Sequence, residues 1–97
     1  SLKALAPDLN NLMLEFAFGT IYERGVLNFK QREMITITSL LTQGGCEKQL
    51  RVHIQASLNV GLTQEEIIET FIHCVPYVGF PRVLNAIFVA TQAERIR

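Results

Sequence analysis

The side chains best able to move a proton or attack a substrate cluster in the middle of the chain: Arg32, Glu33, Cys46 and His53. Cys46 and His53 are seven residues apart (53 − 46), almost two helical turns, so a helix here puts them on one face. Histidine suits proton transfer near neutral pH, and a neighbouring carboxylate orients its ring and favours its protonated form. Glu33 is the candidate carboxylate. If the segments on either side of Gly44-Gly45 are helices packed antiparallel, residue 53 lies opposite residue 37, and Glu33 is one turn along from there. A glutamate side chain crosses that gap. The same residues also admit a plainer reading, in which Glu33 favours its helix N-terminus and His53 is a half-buried core residue.

Cys46 opens a helix, where the positive end of the helix dipole favours a thiolate and hence a nucleophile or redox centre. A local resolving thiol is missing, because Gln49 stands where a Cys-x-x-Cys motif would need its second cysteine. Cys74, beside His73, can approach only through tertiary packing and otherwise reads as a buried thiol. The order Cys46, His53, His73, Cys74 lacks the close pairs of a structural zinc site, so no metal is expected. Arg32, Arg51 and Arg82 are candidates for holding an anionic small molecule. Tyr77 is placed to donate a hydrogen bond into a pocket at the Gly79-Phe80-Pro81 turn, with Phe80 as pocket wall or packing.

These residues need helices to position them. Asp8 is expected to cap a first helix that begins near Leu9 and ends around Tyr22 to Gly25, with Leu9, Leu12, Met13, Phe16 and Ala17 on one buried stripe. Asn28 and Gln31 signal the start of a second, with Met34, Ile35, Ile37, Thr38, Leu40 and Leu41 as a wide apolar face. The β-branched run from Ile35 to Thr38 would suit a strand, but the start signal, the length and the Gly-Gly stop agree on helix. A third helix spans about Glu47 to Asn59, buries Leu50, Ile54 and Leu58, and stops at Gly61. Thr63 and Glu66 form a capping box for the fourth, with Leu62 and Ile67 as its staple. That helix buries Ile67, Ile68, Phe71, Ile72 and Val75 until Pro76 kinks or ends it. Pro81 starts a fifth, with Leu84, Ile87, Phe88 and Ala90 inward and a polar end from Thr91 to Arg97. The fold class is all-α, one domain of about five helices over residues 1–97.

Of the 97 residues 48% are hydrophobic and only 19% charged, more apolar cover than one small core needs, which predicts a homo-oligomer sharing helical faces. Nine basic and nine acidic residues cancel and form no basic stripe, so nucleic acid is not an expected partner. No apolar run approaches the roughly 20 residues of a membrane span. Two cysteines and no charged-then-apolar leader point to a reducing cytoplasm. Opening on Ser1, the chain is expected to have had its natural start trimmed or replaced.

Taken together, Arg32-Glu33 before an apolar helix, Gln49-Leu50-Arg51-Val52-His53-Ile54, Asn59-Val60-Gly61-Leu62-Thr63, Glu65-Glu66-Ile67 and Tyr77-Val78-Gly79-Phe80-Pro81 with Leu84-Asn85-Ala86 closely resemble the carboxymuconolactone decarboxylase family. The resemblance runs from about Pro7 to Ala93. It implies an alkylhydroperoxidase D-like helical subunit that assembles into rings, often hexamers built as trimers of dimers, with cofactor-free sites near subunit contacts. In one branch the histidine matching His53 is the acid/base group in decarboxylation of γ-carboxymuconolactone. The other branch, resembling alkylhydroperoxidase D, reduces peroxides with a Glu, a Cys-x-x-Cys pair and the same histidine.

This sequence departs from both patterns. Glu33 matches the peroxidase branch, since decarboxylases commonly carry a small polar residue after the matching arginine, while Gln49 replaces the peroxide-attacking cysteine. The expectation is therefore a cofactor-independent lyase acting on a small carboxylated lactone or oxo-acid. In it His53 transfers the proton, Glu33 orients His53, Arg32 or Arg51 holds a carboxylate, and Tyr77 and Phe80 shape the pocket. The alternatives are a thiol antioxidant of peroxiredoxin type centred on Cys46, through a one-cysteine cycle or a pairing with Cys74, and an oligomeric binding protein without turnover.

Overall fold

Asn28 and Gln31 close a reciprocal pair of hydrogen bonds: the Asn28 side chain accepts from the Gln31 amide at 2.8 Å, and the Gln31 side chain accepts from the Asn28 amide at 2.9 Å. With both orphan donors satisfied, α3 runs Phe29–Gln43 in the computed structural model, which describes residues 1–96, with side chains described to Gln92. Gly44 stops α3 with φ of +73°, a conformation that favours glycine, and a Cβ there would lie 2.9 Å from Nε of Arg82, so the arginine side chain would have to shift. The chain then turns into α4, Glu47–Asn59.

Three further helical pieces follow. The expected Thr63–Glu66 box starts α5, Gln64–His73; Pro76 lies inside a separate single turn, α6, Val75–Val78; and Gly79 releases the chain into α7, Phe80–Ile96. Leu62 and Ile67 are both buried, as a staple requires. Hydrogen bonds from Thr63 hold the Glu66 carboxyl below the usual carboxylate range, so what the box contributes is present at neutral pH and is lost as acid protonates Glu66. Thr63→Ala is expected to lower stability by about 1 kcal/mol. Urea midpoints at pH 7 check this, and an unchanged midpoint would show the box to be idle.

One apolar cluster holds α3, α4, α5 and α7 together: Ile37 and Leu41, Leu50 and Ile54, Leu62, Ile67 and Phe71, Cys74, then Val83, Ala86, Val89 and Ala90. The main hairpin is α3 against α4, with α7 laid across α4 and α5. Three expected faces are redrawn, the first on α5, where Ile67 and Phe71 are buried but Ile72 is exposed. On α3 only the one-turn series Glu33, Ile37, Leu41 is buried, while Met34 and Ile35 face outward. On α7 the buried stripe is Val83, Ala86, Val89 and Ala90, and Leu84 and Phe88 are exposed. Small alanines admit a closely packed helix, so the larger Leu84 and Phe88 are left outside. Of the polar end expected from Thr91, Arg97 and the side chains beyond Gln92 lie outside the described residues.

The N-terminal helix departs most from expectation. A single turn, α1, Leu2–Leu5, precedes α2, Pro7–Leu12, so Pro7 rather than Asp8 opens the helix, in keeping with proline's fixed φ at a first position. From Met13 to Ile21 the helix widens into π geometry: the Tyr22 amide donates to the Ala17 carbonyl, five residues back, at 3.0 Å. The widened turn breaks the three-and-four register. No residue from Leu2 to Ile21 is buried, and Leu9, Leu12, Met13 and Phe16 are exposed. Among the described residues there is no strand, and the fold is all-α, with the two single turns added to the five longer helices expected.

Candidate active site

Glu33 occupies a core position of α3, one turn before Ile37, where a carboxylate without partners would be costly. Its partner comes from α4: Oε1 of Glu33 lies 2.9 Å from Nδ1 of His53, with the Glu33 side chain 5% exposed and that of His53 17%. The hairpin at Gly44-Gly45 thus brings together the residues that antiparallel packing led one to expect. With Nδ1 turned toward a carboxylate, Nδ1 is the donor and Nε2 is the ring nitrogen left for a substrate. The His53 carbonyl accepts from the fully buried Ser57 hydroxyl at 2.7 Å, so the helix around the histidine carries its own polar bracing.

Three neighbours of the pair were not singled out from sequence. Phe18 stacks on the imidazole, with centroids 6.3 Å apart and planes 17° from parallel. Tyr22 packs on Phe18 with centroids 5.4 Å apart, and its hydroxyl is hydrogen-bonded to that of Thr36. Burial is the main cause that pushes the Tyr22 phenol above its ordinary value; the Thr36 bond opposes it and the Glu33 carboxylate adds to it. Tyr22 is therefore a protonated donor at neutral pH. The four-residue spacing of Phe18 and Tyr22 was the available signal, overshadowed by the stripe of Leu9, Leu12, Met13, Phe16 and Ala17.

Arg32 borders this cluster, its carbonyl accepting from the Thr36 hydroxyl at 2.9 Å. Arg32 donates through Nη2 to the carbonyls of Arg24 and Gly25, both at 2.9 Å, pinning the loop in which Val26 takes φ of +79°. Arg51 is exposed two residues before His53 on α4. Tyr77 is 77% exposed with its ring against His73, and Phe80 is exposed at the start of α7. Cys46 lies just before α4, its thiol 3.7 Å from the Gln43 side-chain oxygen, and is about 10 Å along the helix axis from His53 at 1.5 Å per residue.

A groove of about 560 Å³ opens between α3 and α5, lined by Met34, Ile35, Thr38, Thr70, His73 and Cys74 among others, and neither Glu33 nor His53 reaches it. Cys74 is buried there, with its thiol donating to the Thr70 carbonyl at 3.4 Å. Burial pushes that thiol up, against a smaller opposing effect of Thr38. Iodoacetamide at neutral pH is expected to alkylate half-exposed Cys46 well before Cys74, read by peptide mass spectrometry; equal rates would contradict the burial of Cys74. No group of three His, Cys, Asp or Glu side chains with metal-holding geometry exists among the described residues, and no described helix is long and apolar enough to cross a membrane.

The chain is 35% identical over 85 residues to 4-carboxymuconolactone decarboxylase of Acinetobacter baylyi, a match covering 88% of this chain and 63% of that protein. It is 33% identical over 81 residues to nitrosuccinic acid decarboxylase of Metarhizium robertsii, covering 84% and 56%. An uncharacterized 15.0 kDa protein of Paracoccus denitrificans is 33% identical over 91 residues, covering 93% and 68%. The chain thus spans less than two thirds of the length of the two decarboxylases. The sequence profile of one family matches residues 7–92, nearly everything from the Pro7 helix start to the last buried turn of α7. On that match, the chain belongs to the carboxymuconolactone decarboxylase family.

Proposed function

We propose that the protein is a cofactor-independent carboxy-lyase acting on a small carboxylated lactone or related acid, with His53 transferring the proton and Glu33 orienting His53. The observation that carries this reading is the 2.9 Å contact between a buried Glu33 carboxylate and a partly exposed imidazole. That arrangement leaves Nε2 as base or acid toward a substrate, in the pattern of a histidine held in one tautomer by a carboxylate. Two relatives named as decarboxylases support the reaction class.

Decarboxylation requires an acceptor for the electron pair left when carbon dioxide departs. An unsaturated lactone supplies this itself, and His53 then protonates the carbon that received the pair. Arg32 or Arg51 is assigned to a substrate carboxylate. Tyr77 and Phe80, solvent-facing in the single chain, are assigned to the pocket through a neighbouring subunit. The exposed apolar residues of the N-terminal helix and of α7 support a homo-oligomer, and a ring built as a trimer of dimers is the proposed form. The test is carbon dioxide release from 4-carboxymuconolactone and from nitrosuccinic acid. Release from either supports the reading; release from neither, by a folded oligomer, counts against it. A thiol peroxidase at Cys46 has less support, because the recorded neighbour of that thiol is Gln43 rather than His53.

A further inference from the structure

We infer that the N-terminal helix is an exchanged arm: its exposed apolar side chains, led by Leu9, Leu12 and Phe16, seat in the groove between α3 and α5 of a second copy of this chain. The inference rests on the homo-oligomer proposed above and names the two surfaces that build it.

The arm is short of both charge and cover. Leu9, Leu12, Leu14 and Phe16 are all more than half exposed, and Lys3, Asp8 and Glu15 are the only charged side chains from Leu2 to Ile21. A helix with this much apolar surface is ordinarily buried. Its own chain supplies little: α1, α2 and Met13–Ile21 pack on one another and scarcely on α3 to α7.

Surface area sets the scale of what is missing. A compact monomer of 10.9 kDa exposes about 5,600 Å², whereas this chain exposes 6676 Å². The excess, about 1,100 Å², is more than the roughly 800 Å² that each partner contributes to a standard interface. A protein surface accounts for it better than a lipid one. No described helix is long and apolar enough to cross a membrane, and the basic face of a surface-lying helix is missing, Lys3 being the sole cation of the arm.

The complementary shape is on the same molecule. The groove of about 560 Å³ between α3 and α5 is lined by Met34, Ile35 and Cys74 among others, and Ile35 is also more than half exposed. Ridges of helix side chains pack into grooves between neighbouring turns, and two copies that each offer an arm and a groove make the contact twice. An arm laid on its own counterpart would leave the groove open. Phe18, at the root of the arm, stacks on His53, so assembly and site share one helix.

The experiment reads assembly mass by light scattering and sedimentation in wild type, Leu12→Glu and Ile35→Glu. Both substitutions alter side chains that are exposed in the single chain, and circular dichroism confirms the folds. Wild type is expected to assemble, and each variant to run at half that mass or less, its dissociation constant raised about a hundredfold by a buried charge without a partner. Mixing the two variants is the decisive step. The intact arm of Ile35→Glu then meets the intact groove of Leu12→Glu, and species holding both variants are expected in native mass spectra. Amides of α2 are expected to exchange slowly in wild type and fast in Ile35→Glu, whose arm is unaltered. A monomeric wild type overturns the inference, whether or not it binds vesicles of phosphatidylcholine and phosphatidylglycerol. Absence of mixed species, or Ile35→Glu at the wild-type mass, overturns it as well. The last result would leave the homo-oligomer standing and sink only this contact, and none of these readings involves turnover by His53.

Discussion

His53→Ala is expected to reduce decarboxylation of a carboxylated lactone by a factor of about 10²–10⁴, the usual worth of a positioned acid or base. Nothing else at the site can stand in for it. Glu33 is buried behind the imidazole, and the Tyr22 hydroxyl is engaged with Thr36. Removing the ring leaves the Glu33 carboxylate without its histidine donor, so the variant is also expected to lose stability, and activity must be compared at a temperature where both proteins are folded. Steady-state carbon dioxide release, normalised to folded protein, is the measurement. Turnover within a few-fold of the parent would remove His53 from the mechanism. A loss expressed only in KM would make it a binding residue.

Phe71→Ala should be the most damaging single truncation in the core, lowering stability by about 3–5 kcal/mol. Phe71 is the largest of the side chains with no more than about one part in a hundred of its surface exposed, and it joins the cluster that α5 shares with α3, α4 and α7. The void left by the ring is enclosed by several helices, so no single element can collapse into it. Loss on this scale approaches the whole stability of many small domains, and partial unfolding at 37 °C is an expected outcome. Urea denaturation checks it. A cost below about 1 kcal/mol, the size of the Thr63 cap effect, would show that α5 is not packed as described.

The parts of the fold governed by local chemistry were legible before the structure was known. Asn28 with Gln31 and Thr63 with Glu66 both form the reciprocal bonds their spacing announced, and Gly44, Gly61 and Gly79 all take positive φ at helix ends. The Glu33–His53 contact was legible too, since an antiparallel hairpin about two glycines leaves few ways to pair facing turns. What could not be read depended on packing between distant segments. Leu84 and Phe88 look more hydrophobic than Ala86 and Ala90, yet the alanines face the core, because helix approach distance decides and sequence periodicity carries no such information. The π widening of Met13–Ile21 likewise has no period of its own to detect, so nothing in the spacing placed Phe18 and Tyr22 beside the histidine.

That widened segment bears on how evenly the stability of the chain is distributed. With no buried residue from Leu2 to Ile21, the N-terminal helix meets the bundle at Phe18 against His53 and at Tyr22 against Thr36, whereas the buried residues of α4 are Leu50, Ile54 and Ser57. Segments with little buried area open independently of the global unfolding equilibrium, at small fractions of its free energy. In the single chain, amide exchange is expected to read the two layers as separate clocks, fast in the N-terminal helix and slow in α4.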